Sequence, residues 1–141
     1  MSVTEETLAD YRLLDIRKLA TVDAEQDFKW ICRSLGFLES RDKKRTAHKI
    51  FRTIVEAARH NRGLSSDELA EKLSLSRGAM VHHLNKLIKG GLVIYHEGRY
   101  KLRERNLKTT IEEINRDISR IFDNLYNVAE SVDDTLGFPS R

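Results

Sequence analysis

The chain has 141 residues with 40% hydrophobic residues and a single proline, enough for one compact domain with helical extensions. No apolar run approaches the roughly 18 residues that cross a bilayer, and no charged-then-apolar leader opens the chain, so a cytoplasmic protein is expected. The one cysteine, Cys32, excludes an internal disulfide framework and an all-cysteine zinc site; it is expected to be a buried small hydrophobe.

The net charge of +3 is unevenly laid along the chain. Residues 1–40 carry 5 basic and 8 acidic groups, residues 41–63 carry 8 and 2, residues 64–105 carry 8 and 5, and residues 106–141 carry 4 and 7. A basic middle, which also holds all five histidines, lies between two acidic flanks. Such a distribution suits a polyanionic partner but is also compatible with a merely solvated basic surface.

In chain order, residues 4–20 place Ala9, Leu13, Ile16 and Ala20 at helical spacing, supported by Leu8 and Tyr11, which predicts a first helix. A second starts at Asp23, with Gln26 completing a capping box, and runs along Ala24, Phe28, Ile31 and Leu35 to Gly36. Trp30 falls on the opposite face and is expected to pack on another helix or subunit. Arg41–Arg45 is a polar junction and the candidate domain boundary. A helix over 43–61 follows, with Ala47, Ile50, Phe51, Ile54, Val55 and Ala58 inward and Gly63 as terminator. Ser65 and Glu68 form a capping box, and Leu64 and Leu69 occupy the flanking hydrophobic-staple positions. This predicts a helix at about 66–73 with Leu69, Ala70 and Leu73 facing the core. Ser76 caps the next helix, which ends at Gly90-Gly91. Leu92–His96 and Arg99–Arg103 read as two strands joined at Glu97-Gly98.

From Asn106 onward, Leu107, Ile111, Ile114, Ile118, Ile121, Leu125, Val128 and Val132 repeat at alternating spacings of four and three. This is a coiled-coil seam about 39 Å long at 1.5 Å per residue. So narrow a stripe calls for a second chain; a helix folded back on its own domain is the alternative. Phe122 and Ala129 widen it, which predicts that the N-terminal helices pack there too. The fold expected is mainly α with a small β-hairpin: an N-terminal helical extension serving dimerisation or sensing (1–40), a winged helix-turn-helix (41–105), a long C-terminal dimerisation helix (106–134) and a tail (135–141).

The helix beginning after Ser76 buries Met80, Leu84, Leu87 and Ile88. Its other side collects Arg77, Gly78, Val81, His82, Asn85 and Lys89, and no acidic residue occurs between Ser76 and Gly91. Arg77 suits a bidentate pair to guanine, Asn85 a pair to adenine, Val81 a thymine methyl, and Gly78 close approach of the backbone. Lys86, Lys89 and His82 suit phosphates or base edges. Ser76 with the helix amino terminus suits a phosphate oxygen. The wing adds Arg99 at its tip, suited to an adjacent minor groove or to phosphates, with Lys101 and Arg103 behind. Lys43, Lys44, Arg45 and Lys49 are either backbone contacts or a soluble linker.

Residues 49–102 resemble the ArsR-type winged-helix repressors in Leu75-Ser76 at the start of the recognition helix, His82-His83-Leu84 within it and Gly91-Leu92-Val93 opening the wing. With its long C-terminal helix, the layout is similar to small archaeal members of that group. The resemblance implies a homodimeric, double-stranded-DNA-binding transcription regulator, and it does not extend to residues 1–40. One departure concerns metal sensing. The chain has no cysteine after Cys32 and no histidine after His96, so the metal sites of many relatives are missing. His82 and His83, about 100° apart on a helix, cannot chelate one ion without other ligands.

A sequence-specific regulator on a pseudo-palindromic site is therefore expected, without a cofactor or metal. The competing reading is a winged-helix adaptor for protein assembly. An enzyme is not expected, because the chain has no glycine-rich phosphate loop, nucleophile motif or carboxylate cluster. An effector, if one exists, is expected between residues 1–40 and the 106–132 helix.

Overall fold

The computed structural model describes residues 6–18, 20, 23–37 and 46–139. Its elements are α1 (Ala24–Ser34), α2 (Thr46–Ala58), α3 (Ser66–Leu73), α4 (Arg77–Lys89), β1 (Val93–His96), β2 (Arg99–Leu102) and α5 (Leu107–Leu136). Arg41–Arg45, with Lys43 and Lys44, lies outside the described residues.

The helix-turn-helix is built from local signals that act as expected. Ser65 accepts a hydrogen bond from the Glu68 amide at 3.1 Å, and Leu64 and Leu69 are both buried around that cap. α3 ends at Ser74, held in the left-handed region at φ 54°, and Ser76 immediately caps α4 by accepting from the Ala79 amide at 3.3 Å. α4 stops at Gly90-Gly91, where Gly91 takes φ 78° and the Leu92 amide reaches back to the Leu87 carbonyl at 3.1 Å. The strands pair antiparallel, Val93 with Leu102 and His96 with Arg99. Glu97 and Gly98 both have positive φ (50° and 79°), the signature of a type I′ turn.

The core forms where α2, α3, α4 and the hairpin meet. Ile50, Phe51 and Ile54 of α2 pack with Leu69, with Met80, Leu84 and Leu87 of α4, and with Leu92, Val93 and Leu102. Each such side chain contributes on the order of 1.5–3 kcal/mol through removal of apolar area from water. Cys32 joins this cluster fully buried, and burial pushes its thiol pKa up to about 12.

The hairpin is tied down by a bridge outside the strands: the Leu64 amide donates to the Tyr100 carbonyl at 3.0 Å, and the Tyr100 amide donates back at 2.8 Å. This changes the role expected for Gly63. α2 already ends at Ala58, and Asn61 at φ 49° supplies the left-handed residue. Gly63 is needed instead because a Cβ there would sit 2.8 Å from both Arg99 Cβ and Lys101 Cγ.

The first predicted helix is not formed. Residues 6–18 run as a non-helical strap, and Leu13 is 62% exposed. Long-range partners take up the strap's backbone: the Asp10 amide donates to the Lys89 carbonyl at 2.9 Å and the Leu14 amide to the Ser34 carbonyl at 2.7 Å. These partners override the local periodicity. Trp30 packs on this strap, its indole N–H donating to the Ile16 carbonyl at 3.2 Å. α1 starts where expected, although Asp23 caps it through the Glu25 amide at 2.9 Å.

α5 is capped by Asn106, which accepts from the Thr109 amide at 2.8 Å, and runs for 30 residues. Buried Thr110 donates to the Asn106 carbonyl and accepts from the Glu104 amide, fastening the helix start to the end of the hairpin. Along the expected seam, Ile114 is buried and Leu107 and Ile118 pack on the domain's own core. Beyond them Ile121, Leu125, Val128 and Val132 are all exposed. The described N-terminal residues do not pack over Phe122 and Ala129 as expected: both are exposed, Phe122 at 63%, and the strap meets α5 nearer its start, at Asp117.

Asp117 is the polar joint of the molecule. It is buried, accepts from the Tyr11 hydroxyl and from Arg103 Nη1 at 2.6 Å each, and from Arg120 Nη1 at 3.3 Å. The Arg103 hydrogen bond, opposed by burial and reinforced by Tyr11 and Arg120, holds its carboxyl pKa at about 2. Strap, hairpin and α5 thus converge on one carboxylate. Arg103, placed by sequence behind the wing, is committed to this joint.

Candidate nucleic-acid interface

α4 divides by burial as its pattern predicts. Met80, Leu84 and Leu87 are fully buried, while Ser76, Arg77, Gly78, Val81, His82, Asn85, Lys86 and Lys89 are exposed. The structure therefore brings eight of the sequence-selected residues onto one accessible surface. That surface carries cations, amide and imidazole donors and acceptors, and one β-branched aliphatic group. Such a mixture matches the donor, acceptor and methyl pattern of base-pair edges.

Two details shape it. Gly78 is helical, and a Cβ built on it meets nothing within 4 Å, so the fold itself does not require glycine there. Arg77 is not idle: its guanidinium is paired with Asp67 in the first turn of α3, and that carboxylate pushes its pKa up. Ser76 accepts from a backbone amide, which leaves its hydroxyl hydrogen available to a phosphate oxygen.

The wing departs from expectation in the direction of its arginine. Arg99 donates to the Gly63 carbonyl at 2.9 Å and pairs with Glu68 at 3.2 Å, so its head is folded against the amino end of α3. The cause is register: Arg99 and Lys101 share the hairpin face that lies over Gly63. Lys101 is half-buried there by its stem. Lys43 and Lys44 lie outside the described residues.

Sequence reasoning missed Arg12. The strap places it beside α4, with its stem 3.3 Å from where a Gly36 Cβ would stand. The only available signal was indirect: the paired glycines at 90 and 91 do more than end a helix. A Cβ at Gly90 would meet Phe37 at 2.9 Å and one at Gly91 would meet Tyr11 at 2.7 Å, so both are points of close approach. His82 and His83 meet edge-on at 5.4 Å. Among the described residues, no three His, Cys, Asp or Glu side chains gather to hold a metal ion, and no helix is long and apolar enough to cross a membrane.

Residues 45–96 match the family model described as a helix-turn-helix domain. A comparison with curated proteins finds no match. Among solved structures, the crystal structure of ligand-free NadR aligns at 20% identity and a TM-score of 0.42, covering 79% of this chain and 76% of that one. That likeness is too loose for anything known of NadR to bear on this chain. The family match over α2, α3, α4 and β1, completed by the antiparallel hairpin and the capped turn between α3 and α4, gives this segment the fold of a winged helix-turn-helix domain.

Proposed function

We propose that the protein is an ArsR-like, sequence-specific transcription regulator, acting in the cytoplasm without catalysis, that binds double-stranded DNA as a homodimer on a pseudo-palindromic site. One observation carries the reading: α4 presents an exposed face free of acidic side chains on a scaffold whose interior is filled by its opposite face. In this arrangement Arg77 reads guanine after leaving Asp67, and Asn85 reads adenine. Val81 touches a thymine methyl, and Gly78 lets the α4 backbone approach the bases. His82, Lys86, Lys89 and Ser76 serve base edges and phosphates, with Lys43 and Lys44 as further backbone contacts. Arg99 and Lys101 support the flank, Arg99 the more weakly because Glu68 competes for it.

The second copy is supplied through α5, whose apolar residues from Ile121 to Val132 are exposed among the described residues of a single chain. The same stripe would equally suit an adaptor that docks on another protein, so duplex binding is the deciding measurement. A titration of the full chain with genomic fragments at rising salt is expected to give a steep negative slope with one fragment class preferred throughout. No duplex binding even at low salt would favour the adaptor.

A further inference from the structure

α3 opens with two successive carboxylates, Asp67 and Glu68. Acidic side chains favour the first turn of any helix, so their presence needs no further cause; their partners do. Asp67 pairs with Arg77 of α4, and the two side chains are 75% and 70% exposed. Glu68 pairs with Arg99 of the hairpin at 3.2 Å and lies 3.8 Å from Arg62 in the loop before α3. Its Oε2 is shut off from solvent and accepts no hydrogen bond among the described residues, so arginines are what offset its charge. Both arginines assigned to the DNA face are thus held by neighbouring carboxylates of a third element. Glu71, one turn beyond Asp67 in the same helix, is exposed and makes no ion pair among the described residues.

Exposed pairs of this kind contribute little to folding, so the fold alone does not call for them. Their effect falls on a polyanion. A duplex of any sequence brings phosphates toward the arginines and equally toward the two carboxylates, which repel it. An arginine that stays on its carboxylate neutralises no phosphate. Only a duplex that offers guanine to Arg77 returns two hydrogen bonds for the pair given up. We infer that the two carboxylates are internal counter-anions to DNA, Glu68 weakening binding to every sequence and Asp67 setting selectivity by weakening binding to unmatched sequences most. The inference rests on the function proposed above and gives it the repulsive element that discrimination between similar partners often needs. Neither carboxylate touches DNA in this account; each acts through the arginine it holds.

The test titrates the full chain and its Asp67→Asn and Glu68→Gln variants with the preferred duplex and a scrambled one over a series of salt concentrations. Glu71→Gln is the control, because it removes one charge from the same helix without freeing an arginine. Asp67→Asn tightens the scrambled duplex by about fivefold near physiological salt and steepens its log–log salt slope by about one, since one more arginine reaches phosphate. It tightens the preferred duplex by only about twofold, so the preference narrows. Glu68→Gln tightens both duplexes alike, and Glu71→Gln leaves the preference unchanged. Wild-type affinity, slope and preference in both variants, or a Glu71→Gln chain that behaves as they do, overturn the counter-anions while leaving the proposed function standing. A wild-type chain without sequence preference, whose two variants nonetheless bind every duplex more tightly, does the reverse. No duplex binding by any of the four chains overturns both.

Discussion

Gly78 and Asp117 stand at opposite ends of what a single residue does here. Gly78 costs α4 about 0.5–1 kcal/mol relative to alanine, and nothing in the fold occupies the space its side chain would fill. Gly78→Ala is therefore expected to raise the melting temperature by a few degrees and yet weaken specific DNA binding; gains in both would show that the α4 backbone does not approach a groove. Asp117 is structural. Because its folded pKa of about 2 lies below the ordinary value near 3.9, its contribution is complete above about pH 4 and is lost as pH falls toward 2. Asp117→Asn is expected to cost about 1–3 kcal/mol in urea unfolding at pH 7. The gap to wild type should shrink steadily between pH 4 and pH 2. A constant gap would mean that the carboxylate's charge does not matter to the joint.

At the scale of elements, what could be read in advance was whatever short-range chemistry encodes. Ser65 with Glu68, Ser76, Gly90-Gly91 and Glu97-Gly98 each satisfy orphaned backbone groups or positive φ within a few residues, and each boundary they mark is observed. The strap failed because its periodicity is genuine while its partners are remote: Lys89 and Ser34 for its backbone, Asp117 for Tyr11. Arg77 and Arg99 were correctly placed on their elements, but their engagement with Asp67 and Glu68 depends on how α3 lies against α4 and the hairpin. The hairpin offers its own check. Glu97 occupies a left-handed position that asparagine tolerates better, so Glu97→Asn is expected to stabilise the protein by about 0.5–1 kcal/mol without changing DNA affinity. Thermal unfolding and a binding titration read the two effects. A change in affinity would place the turn itself at the DNA.

For the whole molecule, the division of α5 is what the proposed homodimer rests on. Its first turns complete the domain through Leu107, Ile114 and Ile118, while Leu125 is 58% exposed and Val128 63% in the single chain. Leu125→Glu is therefore expected to convert a dimer of roughly twice 16.3 kDa into a monomer with its helical content retained. Sedimentation at micromolar concentration decides this, and a monomeric wild-type protein would remove the homodimer from the proposal. In the proposed dimer, pairing two winged domains through these helices would bring two α4 faces to successive major grooves about 34–36 Å apart.

The exposed face of α4 is most directly examined by replacing Arg77 and Asn85 together with alanine and measuring affinity for the preferred duplex and for a scrambled one. The double variant is expected to fold normally, retain its salt-dependent binding to the scrambled sequence and lose its preference, about 1–3 kcal/mol for each base pair no longer read. Undiminished discrimination between the two duplexes would contradict the assignment of α4 as the element that reads DNA.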